Sequence, residues 1–269
     1  MARKETYRSK NFSKIEGETP VKRERIERVP IDPALQLPYA EGKVLLIDKP
    51  LHWTSFDVVR KLRSILQIRK IGHAGTLDPL ATGLLIVCTG KFTKKINEYM
   101  AQKKEYTGSI TLGAITPTFD LESEPEQFKE LTGITDELLY ETTAQFTGAI
   151  QQLPPIYSAI KKEGVALYEL ARKGIEVKLE PRNVTIHSFE ITAINLPVIE
   201  FKVVCSTGTY IRSLANDFGA VLGCGGHLSS LRRTKIGEFE AADALDLDEL
   251  MKAMSIPVAE TIQDDLPAE

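Results

Sequence analysis

The stretch Ile71-Gly72-His73-Ala74-Gly75-Thr76-Leu77-Asp78-Pro79-Leu80-Ala81-Thr82-Gly83-Leu84-Leu85 concentrates the residues of this chain that could do chemistry. Pro79 fixes its own φ and biases Asp78 towards an extended conformation. Gly72, Gly75 and Gly83 free the backbone around it. The apolar run Leu84-Leu85-Ile86-Val87-Cys88 that follows reads as a buried strand. A single carboxylate on a constrained loop, set against a core strand, is one way to place a nucleophile. The same residue types also make an ordinary turn, in which an Asp before Pro bonds its own backbone. Both readings stand on these residues alone.

Other elements must bring partners to such a carboxylate. Lys43 to Asp48 reads as a buried strand that ends at Lys49-Pro50. Thr54 or Ser55 then caps a helix to about Leu66, with Val58, Val59, Leu62, Ile65 and Leu66 at helical spacing and Arg60, Lys61 and Arg63 on its polar face. Thr93 to Met100 is predicted as a short helix. From Lys104 to Gly113 the period is two, placing Tyr106, Gly108, Ile110 and Leu112 on one face of a half-buried strand. Tyr106 is then either core packing or an aromatic face turned to a ligand. Residues 120 to 180 read as an insertion with helices, the clearest from Asp136 to Phe146. It includes the Pro-stiffened segment Gln152 to Lys161 and a helix from Val165 to Lys173. Two strands, Val184 to Ile194 and Ile199 to Cys205, precede Ser206-Thr207-Gly208-Thr209-Tyr210-Ile211-Arg212 and a helix to about Leu222. An arginine such as Arg212 is by default a surface charge. A last helix is expected from Leu245 to Met254.

Composition narrows the function classes. No apolar run approaches the roughly 18 residues that cross a membrane, and the N-terminus lacks the apolar core of a secretory signal. Cys88, Cys205 and Cys224 are widely spaced and odd in number, which favours a reducing, cytoplasmic setting without disulfides. Cys224-Gly225-Gly226-His227 is half a metal site without its other half, so no metal is expected. Gly90-Lys91-Phe92-Thr93-Lys94 has the wrong glycine spacing for a phosphate loop, with Phe92 where Ser or Thr is needed. The net charge of −3 divides into +6 for residues 1–237 and −9 for the remainder, so the body has charge to spare for an anionic partner. Residues 1–40 carry Arg3, Lys4, Arg8, Lys10, Lys14, Lys22, Arg23, Arg25 and Arg28 among five glutamates, without periodic apolar spacing. They are predicted to form a basic, mostly disordered arm.

Four motifs, in order, resemble the TruB class of tRNA pseudouridine synthases over roughly Gly42 to Phe239. These are Lys49-Pro50 followed by Thr54-Ser55, with His52 where the family has Gly; the Asp78 stretch; the Tyr106 strand with Thr116, Thr118 and Asp120; and Gly208-Thr209-Tyr210-Ile211-Arg212 with the run Gly223 to Thr234. The resemblance implies an α+β chain with the pseudouridine synthase fold: a central mixed or antiparallel sheet flanked by helices, with an RNA-binding insertion. It implies that Asp78 is the essential catalytic residue, that Arg212 pairs with it, and that Tyr106 packs against the target base. It places Tyr210 and Leu231 in the uridine pocket and His73 near the flipped nucleotide. The implied partner is the T-arm of tRNA, bound by a monomer without an obligate protein partner, and the reaction needs no cofactor. The catalytic domain is expected over 41–250. A short acidic tail, 251–269, would stand in place of the PUA domain that many members carry. Two rivals share the motifs: a tRNA folding helper for which catalysis is secondary, and the guide-RNA-dependent relative, against which the short C-terminus argues.

Overall fold

A computed structural model describes residues 31–158, 161, 162, 164–172, 175, 177 and 179–254. In chain order these form α1 (Pro33–Glu41), β1 (Val44–Lys49), α2 (Ser55–Leu66), β2 (Ile71–His73) and β3 (Ala81–Thr89). A 3-10 turn (Gly90–Lys95) then leads into α3 (Ile96–Ala101), β4 (Lys104–Leu112), α4 (Asp136–Gln145) and β5 (Gly148–Gln152). The small hairpin β6 (Lys161–Lys162) and β7 (Val165–Ala166) precedes α5 (Leu167–Arg172), β8 (Arg182–Asn195) and β9 (Val198–Cys205). The chain continues through α6 (Ile211–Val221), β10 (Gly226–Ile236), β11 (Phe239–Glu240) and α7 (Leu247–Met254).

The main sheet has nine strands, with the order β1-β3-β10-β4-β9-β8-β5 and with β2 and β11 pairing off β3 and β10. Its pairings are antiparallel except β3 with β10, where Leu231, Arg232 and Arg233 run parallel to Ala81, Thr82 and Gly83. This is the expected mixed sheet of an α+β chain. The parallel seam puts the C-terminal strand β10 at the centre, between the strand that leaves the Asp78 loop and the strand that carries Tyr106. Gly83 makes the seam close enough, because a Cβ there would lie 2.3 Å from the Arg233 carbonyl oxygen.

Side-chain parity along β3 sorts the core. Ala81 packs with Tyr106, Ile110, Leu231 and the α6 residues Ile211, Leu214 and Phe218. Leu85 and Val87, on the same face, pack under α2 and α7. Leu84, Ile86 and Cys88 point to the other face, against Phe92, Ile96 and Tyr99. Thus α2 and α6 sit on one face of the sheet, on either side of the parallel seam. The predicted α2 is capped as a box, with Thr54 Oγ1 accepting from the Asp57 N–H at 3.0 Å and the Thr54 N–H donating to Asp57 Oδ2 at 3.1 Å. Its five predicted apolar residues are all buried, each contributing about 1.5–3 kcal/mol.

Both expected domain boundaries fall inside helices. The described end of the arm is α1, begun by an Asp32 side-chain cap and Pro33 and tied to the body by Gln36 Nε2, which donates to the carbonyls of Leu66 (3.1 Å) and Gln67 (3.2 Å). Residues 1–30 lie outside the described residues. At the other end, Met254 is buried with Leu247 and Leu250 against α2, so residues 251–254 are part of the core helix and not of a tail. The insertion also lends the sheet an edge strand, β5, that the sequence reading lacked. The predicted helices from Asp136 and Val165 are α4 and the shorter α5, while Lys173 lies outside the described residues.

Candidate active site

The loop between β2 and β3 is held along its backbone. Leu77 N–H donates to Ser55 Oγ at 2.9 Å, and the Ser55 hydroxyl donates back to the Leu77 carbonyl at 3.3 Å. The Pro79 carbonyl accepts from the His52 N–H at 2.8 Å and from Lys49 Nζ at 3.4 Å. His52 takes a left-handed φ of 65°, so the turn that a glycine would ease is kept by a residue that tolerates this region better than most. Arg233, the second arginine of the parallel seam, reaches from β10 to three more carbonyls of this region: Leu84 at 2.7 Å, Gly75 at 3.3 Å and Thr76 at 3.4 Å.

On this scaffold Asp78 presents its carboxylate with 37% of the side chain exposed. Arg212, in the first turn of α6, meets it with one hydrogen bond, Nη2 to Oδ1 at 3.2 Å, and an ion-pair contact, Nε to Oδ2 at 2.9 Å. The expected Asp78–Arg212 pair is therefore present, and Arg212 is not a surface charge: its side chain is 5% exposed. It also donates to the carbonyls of Thr118 (3.2 Å) and Tyr157 (2.9 Å) and lies 3.5 Å from the buried Asp120 carboxylate. Burial pushes the Asp120 carboxyl up, against the Arg212 cation and the Thr118 hydroxyl. One guanidinium thus ties together the Asp78 loop, the start of the insertion and the Pro-stiffened segment.

The cleft beside Asp78 is lined by Leu80, Ala81, Asp120, Leu228, Ser229, Ser230 and Leu231. Leu231 thus lies in the same cleft as Asp78. Tyr210 caps α6, with its backbone N–H and carbonyl clamped by the Gln152 amide at 2.8 and 3.0 Å. Burial raises its phenol, with the Ser158 hydroxyl and Arg182 opposing that and Asp78 adding to it. Tyr106 is 8% exposed and belongs to the core cluster, yet it stands opposite Arg233 in the β4–β10 register. Burial pushes its phenol up, and Arg233 is the largest opposing influence. His73 is half-buried at the end of β2, opposite Val87, outside the Asp78–Arg212 pair. Burial, with the Arg233 cation and against a backbone contact at Gly75, holds its pKa below the usual imidazole value.

Several contributors had no role in the sequence reading. Lys49 ends β1 with no exposed surface and donates to the carbonyls of Trp53 (2.6 Å), Pro50 (2.9 Å) and Pro79. Its pKa falls to about 8 through burial, against the attraction of Asp78 and with the repulsion of Arg233. The Ser109 hydroxyl bonds those of Ser229 (2.8 Å) and Ser230 (2.7 Å) at a bulge of β10. A signal for Lys49 lay in the Lys-Pro pair; the serines and Arg233 depend on strand register, which the sequence does not display. Of the Cys224–His227 run, both side chains are buried, and the His227 ring has Nδ1 3.1 Å from the Ala114 carbonyl. Among the described residues no three His, Cys, Asp or Glu side chains cluster as metal ligands. Among them, too, no helix is long and apolar enough to cross a membrane.

Comparison with known proteins gives this geometry its context. Residues 63–211 match the N-terminal domain of TruB family pseudouridylate synthases, and residues 212–266 match the tRNA pseudouridylate synthase B C-terminal domain. A tRNA pseudouridine synthase B from Flavobacterium johnsoniae is 58% identical over 216 residues, covering 78% of this chain and 94% of that protein. One from Parabacteroides distasonis is 52% identical over 206 residues, covering 74% and 88%. A chain of a solved Cbf5–Nop10–Gar1 complex superposes with a TM-score of 0.64 at 28% identity, covering 84% of this chain and 61% of that one. A chain of an H/ACA RNP bound to a substrate RNA containing 2′-deoxyuridine superposes with a TM-score of 0.61 at 26% identity, covering 85% of this chain and 59% of that one. This chain therefore spans about three fifths of the length of those two structural relatives. With an aspartate and an arginine meeting over the seam of this sheet, and with family models matching most of its length, the chain belongs to the TruB family of pseudouridylate synthases, which isomerise uridine to pseudouridine.

Proposed function

We propose that this chain converts a uridine in the T-loop of tRNA, position 55, to pseudouridine, with Asp78 as the essential residue. The observation that carries the reading is the partly exposed Asp78 carboxylate, oriented by Arg212 on a loop whose backbone is fixed from three elements, β1, α2 and β10. A uridine stacked in a folded loop is out of reach, so it is flipped into the cleft at a cost of a few kcal/mol. Tyr106 and Tyr210 offer faces for the extruded base, Leu231 an apolar wall, and His73 a contact to the displaced strand.

The uracil N1–C1′ bond then breaks. The base turns so that C5 faces C1′, and the C5=C6 electron pair forms the C5–C1′ bond as N1 and C6 become doubly bonded. Next the C5–H bond breaks, its pair restores C5=C6, and N1 takes up a proton. In this reading Tyr106 accepts the C5 proton. No atom is gained or lost overall and no electron leaves, so the chemistry calls for no cofactor. In this reading the enzyme works in the cytoplasm as a monomer on tRNA alone, the basic N-terminal arm adds non-specific attraction to phosphates, and a tRNA folding activity accompanies catalysis.

The test is purified protein with a bare tRNA transcript, scored for pseudouridine at the T-loop. Modification without added protein or guide RNA is expected. The second reading, a guide-RNA subunit, is favoured by the likeness to the Cbf5 complex, and it predicts no product under these conditions. A phosphate-held complex should also show log affinity falling linearly with log salt, and a flat response would count against the positive body as the tRNA-binding face.

A further inference from the structure

Arg233 is 1% exposed, and among the described residues it has no carboxylate at ion-pair distance. Its donors go to the carbonyls of Leu84, Gly75 and Thr76. Backbone carbonyls could be satisfied by a neutral amide, without the cost of burying an uncompensated cation. A charge kept here against that cost calls for a partner that benefits from it. The register supplies one: Arg233 stands directly opposite Tyr106 across β4 and β10, on the sheet face that bears Leu231 and Ala81. Directly opposite residues in such a pair have Cβ atoms about 4.5–5.5 Å apart.

We propose that Arg233 is a positioning residue of the isomerisation, one guanidinium fixing the backbone of the Asp78 loop and holding the Tyr106 oxygen ready for the C5 proton. The inference rests on the reading of Tyr106 given above. In the step concerned, C5 already carries both C1′ and hydrogen. The C5–H pair becomes the C5=C6 bond, the N1=C6 pair moves to N1, which takes a proton from solvent, and the C5 proton passes to the Tyr106 oxygen, whose own hydroxyl proton has first left to solvent. The groups acting on that oxygen are Arg233 from β10, Cys205 from β9 and Asp78 from the loop, and Arg233 is the cation among them. Its charge favours the phenolate that burial disfavours, while its grip on Gly75 and Thr76 sets where Asp78 stands relative to the same ring.

The experiment compares tRNA carrying hydrogen or deuterium at uracil C5, in single turnover at saturating enzyme, for the parent, Arg233→Gln, Arg233→Lys and Tyr106→Phe. Arg233→Gln is expected to slow turnover about thirtyfold or more, to raise the isotope effect above the parent's, and to leave RNA affinity within about threefold. Arg233→Lys, which restores charge, should recover much of the rate and bring the isotope effect back towards the parent's. Slowing by Arg233→Gln with an unchanged isotope effect would reduce Arg233 to a loop support and overturn the proposal, as would Lys behaving no better than Gln. Should Arg233→Gln fail to fold, Arg233→Lys is read against the parent at high and low pH. A rate deficit that widens as pH rises through the range in which a buried lysine gives up its proton supports the charge role, and a constant or shrinking deficit overturns it. Tyr106→Phe separates the two layers. If it keeps the parent's rate and isotope effect, the Tyr106 reading falls and takes the proposal with it. If it raises the isotope effect while Arg233→Gln does not, only the proposal falls.

Discussion

Two buried arginines reach the Asp78 loop, Arg233 from within the parallel seam and Arg212 from α6, and they use their donors in opposite ways. Arg212, from α6, donates Nη2 to Asp78 Oδ1 at 3.2 Å, holds Nε in ion-pair contact with Oδ2 at 2.9 Å and has Asp120 at 3.5 Å. Arg233, from β10, spends its donors on three carbonyls. A buried guanidinium is tolerated when its donors are used, and what they are used on decides its role. Facing carboxylates, Arg212 orients a charge and leaves its neighbourhood acidic on balance. Facing neutral oxygens, Arg233 orients a backbone and leaves its neighbourhood positive. Lys49, His73 and Tyr106 all register that second field.

The largest expected effect removes what Arg212 holds. Asp78→Asn keeps the shape and loses the charge and the nucleophile. Turnover should fall by more than about a thousandfold while RNA affinity stays within a few fold. Pseudouridine formation retained above that level would make the Arg212 side of the comparison structural. On the Arg233 side, Tyr106→Phe keeps the ring and deletes the hydroxyl. If proton transfer matters, rate falls about a hundredfold or more with RNA still bound, the usual scale for a general base. Tyr106→Leu should then lose binding as well. Both variants melting early yet turning over fully when folded would return Tyr106 to the core, where its burial alone would place it.

Arg212→Lys asks whether charge or fork matters. A lysine keeps the charge but cannot serve both Asp78 oxygens and the carbonyls of Thr118 and Tyr157 together. Losing one charge-assisted hydrogen bond, at about 1.5–3 kcal/mol, predicts a rate loss of roughly tenfold to hundredfold. A lysine variant as fast as the parent would show that Arg212 supplies charge only.

The two arginines also mark what the sequence displayed and what it withheld. Arg212 stood in a motif and at the start of a periodic helix, so both its neighbour and its element were readable. The α2 cap, the Asp78 loop and the facing of Tyr106 were readable for the same reason: each follows from local spacing. Arg233 lies in a stretch whose glycines and serines hide a strand, and its importance comes from standing opposite Tyr106 and alongside Gly83. Those are long-range pairings that no local pattern encodes. Strand β5 escaped because its half-exposed alternation is short and follows a helix directly. Helix α1 escaped because it buries no residue, leaving only Asp32-Pro33 as a start signal inside a charged arm. Lys49, read as the end of a strand, is instead fully buried in it, because the turn at Pro50 and the Asp78 loop close over its ammonium.

Lys49 sits between the two fields, drawn by Asp78 and repelled by Arg233, and it gives the smallest of these effects. Burial and Arg233 lower its pKa from 10.5 to about 8. Between those values the unfolded chain holds a proton on this lysine that the folded chain has released. Raising the pH therefore favours the folded state across that window. The penalty for burying the charged form is full below pH 8 and gone above about 10.5. Lys104, also lowered to about 8 by burial and Arg233, adds a second slope of the same sign. Lys49→Met should cost stability at pH 7 by releasing the carbonyls of Pro50, Trp53 and Pro79. Its signature is different: the rise of unfolding free energy with pH should flatten by up to one proton's worth, about 1.4 kcal/mol per pH unit at most. Urea unfolding at pH 8, 9 and 10 measures this, with the Lys104 slope and the cysteine and tyrosine titrations common to both proteins. A parallel pair of curves would mean that Lys49 keeps its proton throughout, and that Asp78 outweighs both burial and Arg233 at the floor of the loop.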